Sequence, residues 1–131
     1  MKKIIGLYGR ANSGKTTTLK ILIKLLEGAV QEDNPVLIDK YGEKRIVITP
    51  GGDDKDMIEK NLDAFGKAEA HILVTATRTK GQTTDYLSNH TGVNPKEITW
   101  IKKNYAEIRT DLVNQAQAED IKAVIDSIIG K

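Results

Sequence analysis

Apolar residues in this chain fall into continuous runs and helical stripes. "KIIGLY" (3–8) is apolar on both faces, which predicts a strand buried in the middle of a parallel sheet. "AHILVTATR" (70–78) predicts a second buried strand and "EITWIKK" (97–103) another strand. Between them the period changes. Over 14–28 only Lys20, Lys24 and Glu27 interrupt the apolar surface after the threonines, at i, i+4 and i+7. That pattern predicts a helix covered around most of its circumference, with Gly28 as its C-terminal cap. Ile58, Leu62 and Phe65 share one face of a helix capped by Asp53 or Asp54 and ended by Gly66. "TTDYLSNHTG" predicts a short helix, and Ile121, Val124, Ile125, Ile128 and Ile129 mark the face of a C-terminal one. Whether that last helix starts near Arg109 or at Glu119 stays open, because "NQAQAED" reads equally as helix interior or as a break.

The polar segments connect these elements. "AVQEDNP" and "TKGQT" are loops, and "PGGDD" is turn chemistry throughout. "VLIDKYGEKRIVIT" reads as two strands joined at Tyr41-Gly42-Glu43, a β-hairpin. Strands otherwise alternate with helices, which predicts an α/β three-layer sandwich: a mostly parallel sheet with one antiparallel edge strand from the hairpin. No repeat or linker divides the chain, so residues 1–131 are expected to form one domain.

Composition narrows the picture. The chain has 131 residues, 39% hydrophobic and 29% charged, as in ordinary globular proteins. Its 20 basic and 18 acidic side chains leave a net charge of +2, which gives no sign of a polybasic nucleic-acid surface. Without cysteine there is no disulfide framework and no thiolate zinc site. The opening "MKKIIGLYGR" starts like a signal peptide, but its apolar run stops at Tyr8 and no small-residue cleavage site follows. No stretch approaches the roughly 18 apolar residues of a membrane span. These features predict a cytoplasmic protein with no membrane association.

One stretch fits neither strand nor helix: "GLYGRANSGKTTTLK", three glycines, a lysine and three threonines between apolar runs. Residues 9–16, Gly9-Arg10-Ala11-Asn12-Ser13-Gly14-Lys15-Thr16, match G-x-x-x-x-G-K-[ST], the Walker A phosphate loop. Backbone N–H groups of such a loop form an anion-binding nest, and the following helix adds its unsatisfied N–H groups and positive dipole end. Glycine is needed where a Cβ would obstruct the turn or the phosphate. Lys15 supplies a cation to the β- and γ-phosphates and Thr16 a hydroxyl to Mg²⁺. Residues 9–16 and the adjoining Thr17 are the candidate nucleotide contacts, with ATP or GTP and Mg²⁺ as cofactors. The required context, an apolar strand before and a helix after, is present.

The chain therefore resembles the P-loop NTPase superfamily, specifically over about residues 3–27 and loosely throughout. Within it, the order strand, loop, helix, hairpin, "PGGD", helix, strand is most similar to the small GTPase-type branch, where a hairpin leads into an Asp-x-x-Gly turn near the γ-phosphate. The chain is also similar to small bacterial ATP-binding proteins of unassigned role with a "GKRI…GD…A-R-T-G-T" pattern. The departures from the GTPase pattern are specific. The turn reads Thr49-Pro50-Gly51-Gly52, without an aspartate on the strand. The last strand ends Ile101-Lys102-Lys103-Asn104, without the Asn-Lys-x-Asp guanine motif, and no threonine lies in the loop that precedes the hairpin. ATP is expected over GTP by elimination.

Three segments should join the loop at the carboxyl ends of the strands. Asp53, with Asp54 beside it, is the candidate carboxylate for Mg²⁺ or for orienting a nucleophile; the alternative is a helix N-cap. Arg78 directly follows an apolar strand within "TATRTKGQTT" and is the candidate cation for the γ-phosphate or an acceptor anion; the alternative is a solvated loop. Lys102-Lys103-Asn104 would lie near the base, although charged strand ends are usually just solvated. His71 and His90 lack metal-ligand spacing; His71 reads as structural, His90 as an exposed helix residue and Trp100 as core. Lys15, Asp53 and Arg78 are thus the catalytic candidates, and Thr16 and Asp53 the metal ligands. The expected function is Mg²⁺-dependent hydrolysis or phosphoryl transfer, with the lack of an arginine-rich lid leaning toward hydrolysis. The alternatives are a non-catalytic nucleotide-binding module acting through a protein partner, and a subunit whose site a partner or second copy completes.

Overall fold

Alternating apolar runs and amphipathic stripes assemble into a mixed, mostly parallel five-stranded sheet with four helices. A computed structural model of the chain describes residues 2–10, 13–29, 35–50, 55–78 and 81–130. The elements in order are β1 (Lys3–Tyr8), α1 (Lys15–Leu25), β2 (Val36–Tyr41), β3 (Lys44–Thr49), α2 (Lys55–Lys67), β4 (Ile72–Thr77), α3 (Gly81–Thr91), a 3₁₀ turn (Pro95–Glu97), β5 (Ile98–Lys102) and α4 (Thr110–Ile129). The strand order is β2-β3-β4-β1-β5. Among the described residues only the β2–β3 pair is antiparallel, so the hairpin does place its antiparallel strand at an edge.

Strand geometry sends successive side chains to opposite faces, and the core divides accordingly. Ile5 and Leu7 of β1 pack with Leu19, Leu22 and Ile23 of α1 and with Ala118, Ile121 and Ile125 of α4. Ile4 joins Val47, Leu73 and Ile98 against Leu62, Phe65 and Leu87 on the other face, beneath α2 and α3. Burial on both faces explains why β1 and β4 read as unbroken apolar runs. Gly6 interrupts β1 because the Trp100 ring lies over it: a Cβ there would come within 2.4 Å of the indole. Trp100 is accordingly half-buried, edge-on to Tyr8 at 6.1 Å.

The hairpin turns at Gly42 and Glu43, both at positive φ (58° and 64°), as a two-residue type I′ turn requires. Tyr41 pairs with Lys44 across it, and the register shifts between Ile38 and Tyr41.

The helix ends differ from the expectation. Neither Gly28 nor Gly66 takes the left-handed cap position. Glu27 (φ 64°) and Glu69 (φ 50°) do. In α1, Glu27 N–H bonds to Lys24 C=O and Gly28 N–H to Ile23 C=O; in α2, Glu69 N–H bonds to Gly66 C=O and Ala70 N–H to Phe65 C=O. Both are Schellman closures with a glutamate where glycine is usual. Gly28 is instead a close-packing position, since a Cβ would meet Ile38 at 2.3 Å. Helix α3 begins at Gly81, inside the segment expected to be a loop; the first-turn N–H groups need no helical partner, so glycine is tolerated there. Helix α4 starts at Thr110, so "NQAQAED" is helix interior. Among the described residues no helix is long and apolar enough to cross a membrane.

Candidate functional site

The sheet register brings the carboxyl ends of four strands to the glycine loop. Tyr8, the last residue of β1, is opposite Thr77 on one side and Lys102 on the other. Gly9 N–H then bonds to Thr77 C=O at 3.1 Å, and Lys103 N–H to Tyr8 C=O at 2.8 Å. The loop thus leaves a fully framed strand and enters α1 through Gly14, whose φ of 96° favours glycine. Space also dictates glycine here: a Cβ on Gly14 would stand 2.8 Å from Asn114 Oδ1, and one on Gly9 would stand 3.1 Å from Lys103 Cβ.

Two side chains fold back onto the loop, and a third reaches the end of β3. Ser13 Oγ donates to Arg10 C=O at 2.8 Å. Lys15, only 4% exposed, donates its ammonium to Gly9 C=O and, at 3.2 Å, to Arg10 C=O. Thr16 donates its hydroxyl to Pro50 C=O at 3.0 Å. No acidic residue occupies the first turn of α1, so its N-terminal N–H groups and dipole end are not countered from within the helix. Chemically this is a compact set of backbone donors, one ammonium and one hydroxyl, suited to an anion and an attendant hard cation. Thr17 points outward and is exposed.

The other candidates distribute unevenly. Ala11 and Asn12 lie outside the described residues, as do Asp53 and Asp54. Pro50, which bonds to Thr16, is three residues before Asp53 in the chain. Arg78 is exposed and one residue beyond the Thr77 carbonyl that receives Gly9 N–H, so its backbone is at the rim of the loop. Among the described residues no cluster of His, Cys, Asp and Glu could hold a metal ion.

Lys102 and Lys103 separate. Lys102 is exposed, but Lys103 is 5% exposed, its stem under Gly9 and its ammonium donating to Asn104 C=O. Burial holds the Lys103 pKa below the usual lysine value. His71, as its sequence position suggested, is structural: Nδ1 accepts from Arg45 N–H at 3.2 Å. His90 is exposed and stacks on Tyr86 at 4.0 Å.

Sequence reasoning missed the contribution of α4. Gln117, buried in that helix, accepts from Asn104 N–H at 2.8 Å and donates to Lys102 C=O at 2.7 Å, clamping the end of β5. Asn114, one turn earlier, packs against Gly14. Beside them opens a cleft of about 230 Å³ lined by Ser13, Gly14, Tyr105, Thr110, Val113 and Asn114, among others. The Arg10 guanidinium lies 4.5 Å from the centre of the Tyr105 ring, a cation–π contact joining the glycine loop to the cleft wall. A signal did exist: Asn114 and Gln117 continue, at helical spacing, the buried stripe of Ala118, Ile121 and Ile125.

Comparison of the chain with protein-family models, with curated proteins and with solved structures finds no match.

Proposed function

We propose that this chain binds a nucleoside triphosphate, ATP in preference to GTP, on the 9–16 loop and uses it for Mg²⁺-dependent hydrolysis or phosphoryl transfer. The observation that carries this reading is Lys15: a lysine buried to 4% exposure whose ammonium reaches the loop's own carbonyls, at the N-terminus of a helix with no acidic residue in its first turn. Phosphate oxygens are strong, charge-assisted partners for a lysine ammonium held at the start of a helix. On binding, Lys15 turns from Gly9 and Arg10 C=O to the phosphates, while loop and helix N–H groups orient them. The paired oxygens of Thr16 and Pro50 suit a hard cation, so Thr16 would hold Mg²⁺, with Asp53 as the carboxylate candidate. The ion, when bound, neutralises charge on the phosphates. Arg78, at the rim, meets charge on the γ-phosphate or on an acceptor.

A second reading rests on the end of β3. The strand ends Ile48-Thr49, with Pro50 following, and carries no carboxylate there. That favours a slow or partner-dependent site, a module that binds nucleotide and acts through another protein. Gentle purification followed by mass identification of bound nucleotide, then phosphate release with and without Mg²⁺, tests both. Bound ATP with metal-dependent release supports the catalytic reading, and bound nucleotide with negligible release supports the module. Absence of binding to ATP and GTP at millimolar concentration rejects both.

A further inference from the structure

Asn114 is a buried polar residue that the loop chemistry leaves unused. It is 8% exposed and lies on the face of α4 that otherwise carries Gln117, Ala118, Ile121 and Ile125 into the core. Gln117 satisfies both ends of its amide on β5. Asn114, one turn away, makes no hydrogen bond among the described residues. Its carboxamide is packed against Gly14 and lines the cleft beside the loop. The carboxamide is therefore left to meet whatever occupies the cleft.

We infer that this cleft receives the nucleobase of the bound nucleotide and that Asn114 reads an adenine edge. The inference rests on the triphosphate reading of the 9–16 loop. Gly14 belongs to both places: it leads the loop into α1 and it walls the cleft. A nucleotide with phosphates on the loop therefore has the cleft next to it for its base. A carboxamide presents a donor and an acceptor side by side, which matches the adjacent N6–H donor and ring-nitrogen acceptor of adenine. Guanine adds a second donor, N2–H beside N1–H, which a single carboxamide leaves unmet and a carboxylate would meet, and no Asp or Glu lines the cleft among the described residues. Tyr105, half exposed and held by Arg10, supplies an aromatic face beside the ring. Asn114 is thus a specificity-determining residue.

Calorimetric titration of the full chain with ATP, GTP and inorganic triphosphate, each with Mg²⁺, tests this. Asn114→Ala is expected to weaken ATP about tenfold and to leave inorganic triphosphate unchanged, whereas Lys15→Ala weakens every ligand. Asn114→Asp, nearly isosteric, is expected to shift the ATP-to-GTP affinity ratio toward GTP by about tenfold or more, and it decides the matter alone if the alanine variant does not fold. Equal loss of ATP and triphosphate in Asn114→Ala, or no loss of either, overturns the inference while the effect of Lys15→Ala keeps the loop reading intact. An unchanged ATP-to-GTP ratio in Asn114→Asp overturns it as well. Failure of the wild-type chain to bind either ATP or triphosphate overturns both.

Discussion

Thr16 donates its hydroxyl to the carbonyl oxygen of Pro50 at 3.0 Å, tying the first turn of α1 to the end of β3. β3 is not a neighbour of β1 in the sheet, since β4 lies between them. The side-chain bond therefore bridges over the end of β4. Thr16→Ala should cost about 1 kcal/mol of stability, because the buried Pro50 carbonyl loses its partner. The same change should abolish most of the Mg²⁺ dependence of ATP affinity, and Thr16→Ser should retain it. Melting curves and titrations with and without the metal read the two effects separately.

Gly6 and Gly66 make a matched pair. A Cβ on Gly6 would meet the Trp100 ring at 2.4 Å, whereas a Cβ on Gly66 would meet nothing within 4 Å. Gly6→Ala is expected to destabilise by about 1–3 kcal/mol through overpacking. Gly66→Ala, inside α2, should stabilise by about 0.5–1 kcal/mol. Denaturant midpoints of the two variants should move in opposite directions.

His71 should make stability fall with acid. Burial, with the charges of Lys44 and Arg45 beside it, holds its pKa below the ordinary 6.5. In the window between the folded value and 6.5 the unfolded chain binds more protons, so stability drops as pH falls through it. Above 6.5 the contribution is complete. His71→Gln removes the titration. Melting temperatures from about pH 7.5 to about pH 4.5 should fall more steeply for the wild type than for the variant.

The strands were legible because each central one is a short apolar run with its own boundary residues. The sharp turn at Gly14 was legible because its φ of 96° lies where glycine is favoured. Helix ends were not. Reasoning from propensity assigns the left-handed cap to Gly28 and Gly66, and the fold gives it to Glu27 and Glu69. Strand order was equally hidden, since no local pattern states that β4 lies between β1 and β3. Asn114 and Gln117 escaped notice for a related reason: a polar residue on a helix reads as solvent-facing until its partners on another element are known.

Arg78 distinguishes hydrolysis from transfer. Its backbone is at the loop rim through the Gly9–Thr77 bond, and its side chain is exposed. If it meets charge developing on the γ-phosphate, Arg78→Ala should lower phosphate release at least tenfold with ATP affinity nearly unchanged. Lysine should rescue only in part, since a two-pronged donor becomes a point charge. Unchanged release with impaired transfer to an acceptor would assign it to the acceptor instead, and no change in binding, release or transfer would leave it a solvated loop residue.

The central claim is that the 9–16 loop holds nucleoside triphosphate through Lys15. Titration of wild-type chain and Lys15→Ala with Mg²⁺-ATP, on samples shown by melting curves to be folded, tests it most directly. The wild type should bind, and the variant should be weaker by about 2 kcal/mol or more, roughly thirtyfold, because a charge-assisted contact to phosphate is lost. Equal affinity of the two proteins for Mg²⁺-ATP, or no binding by either, would contradict it.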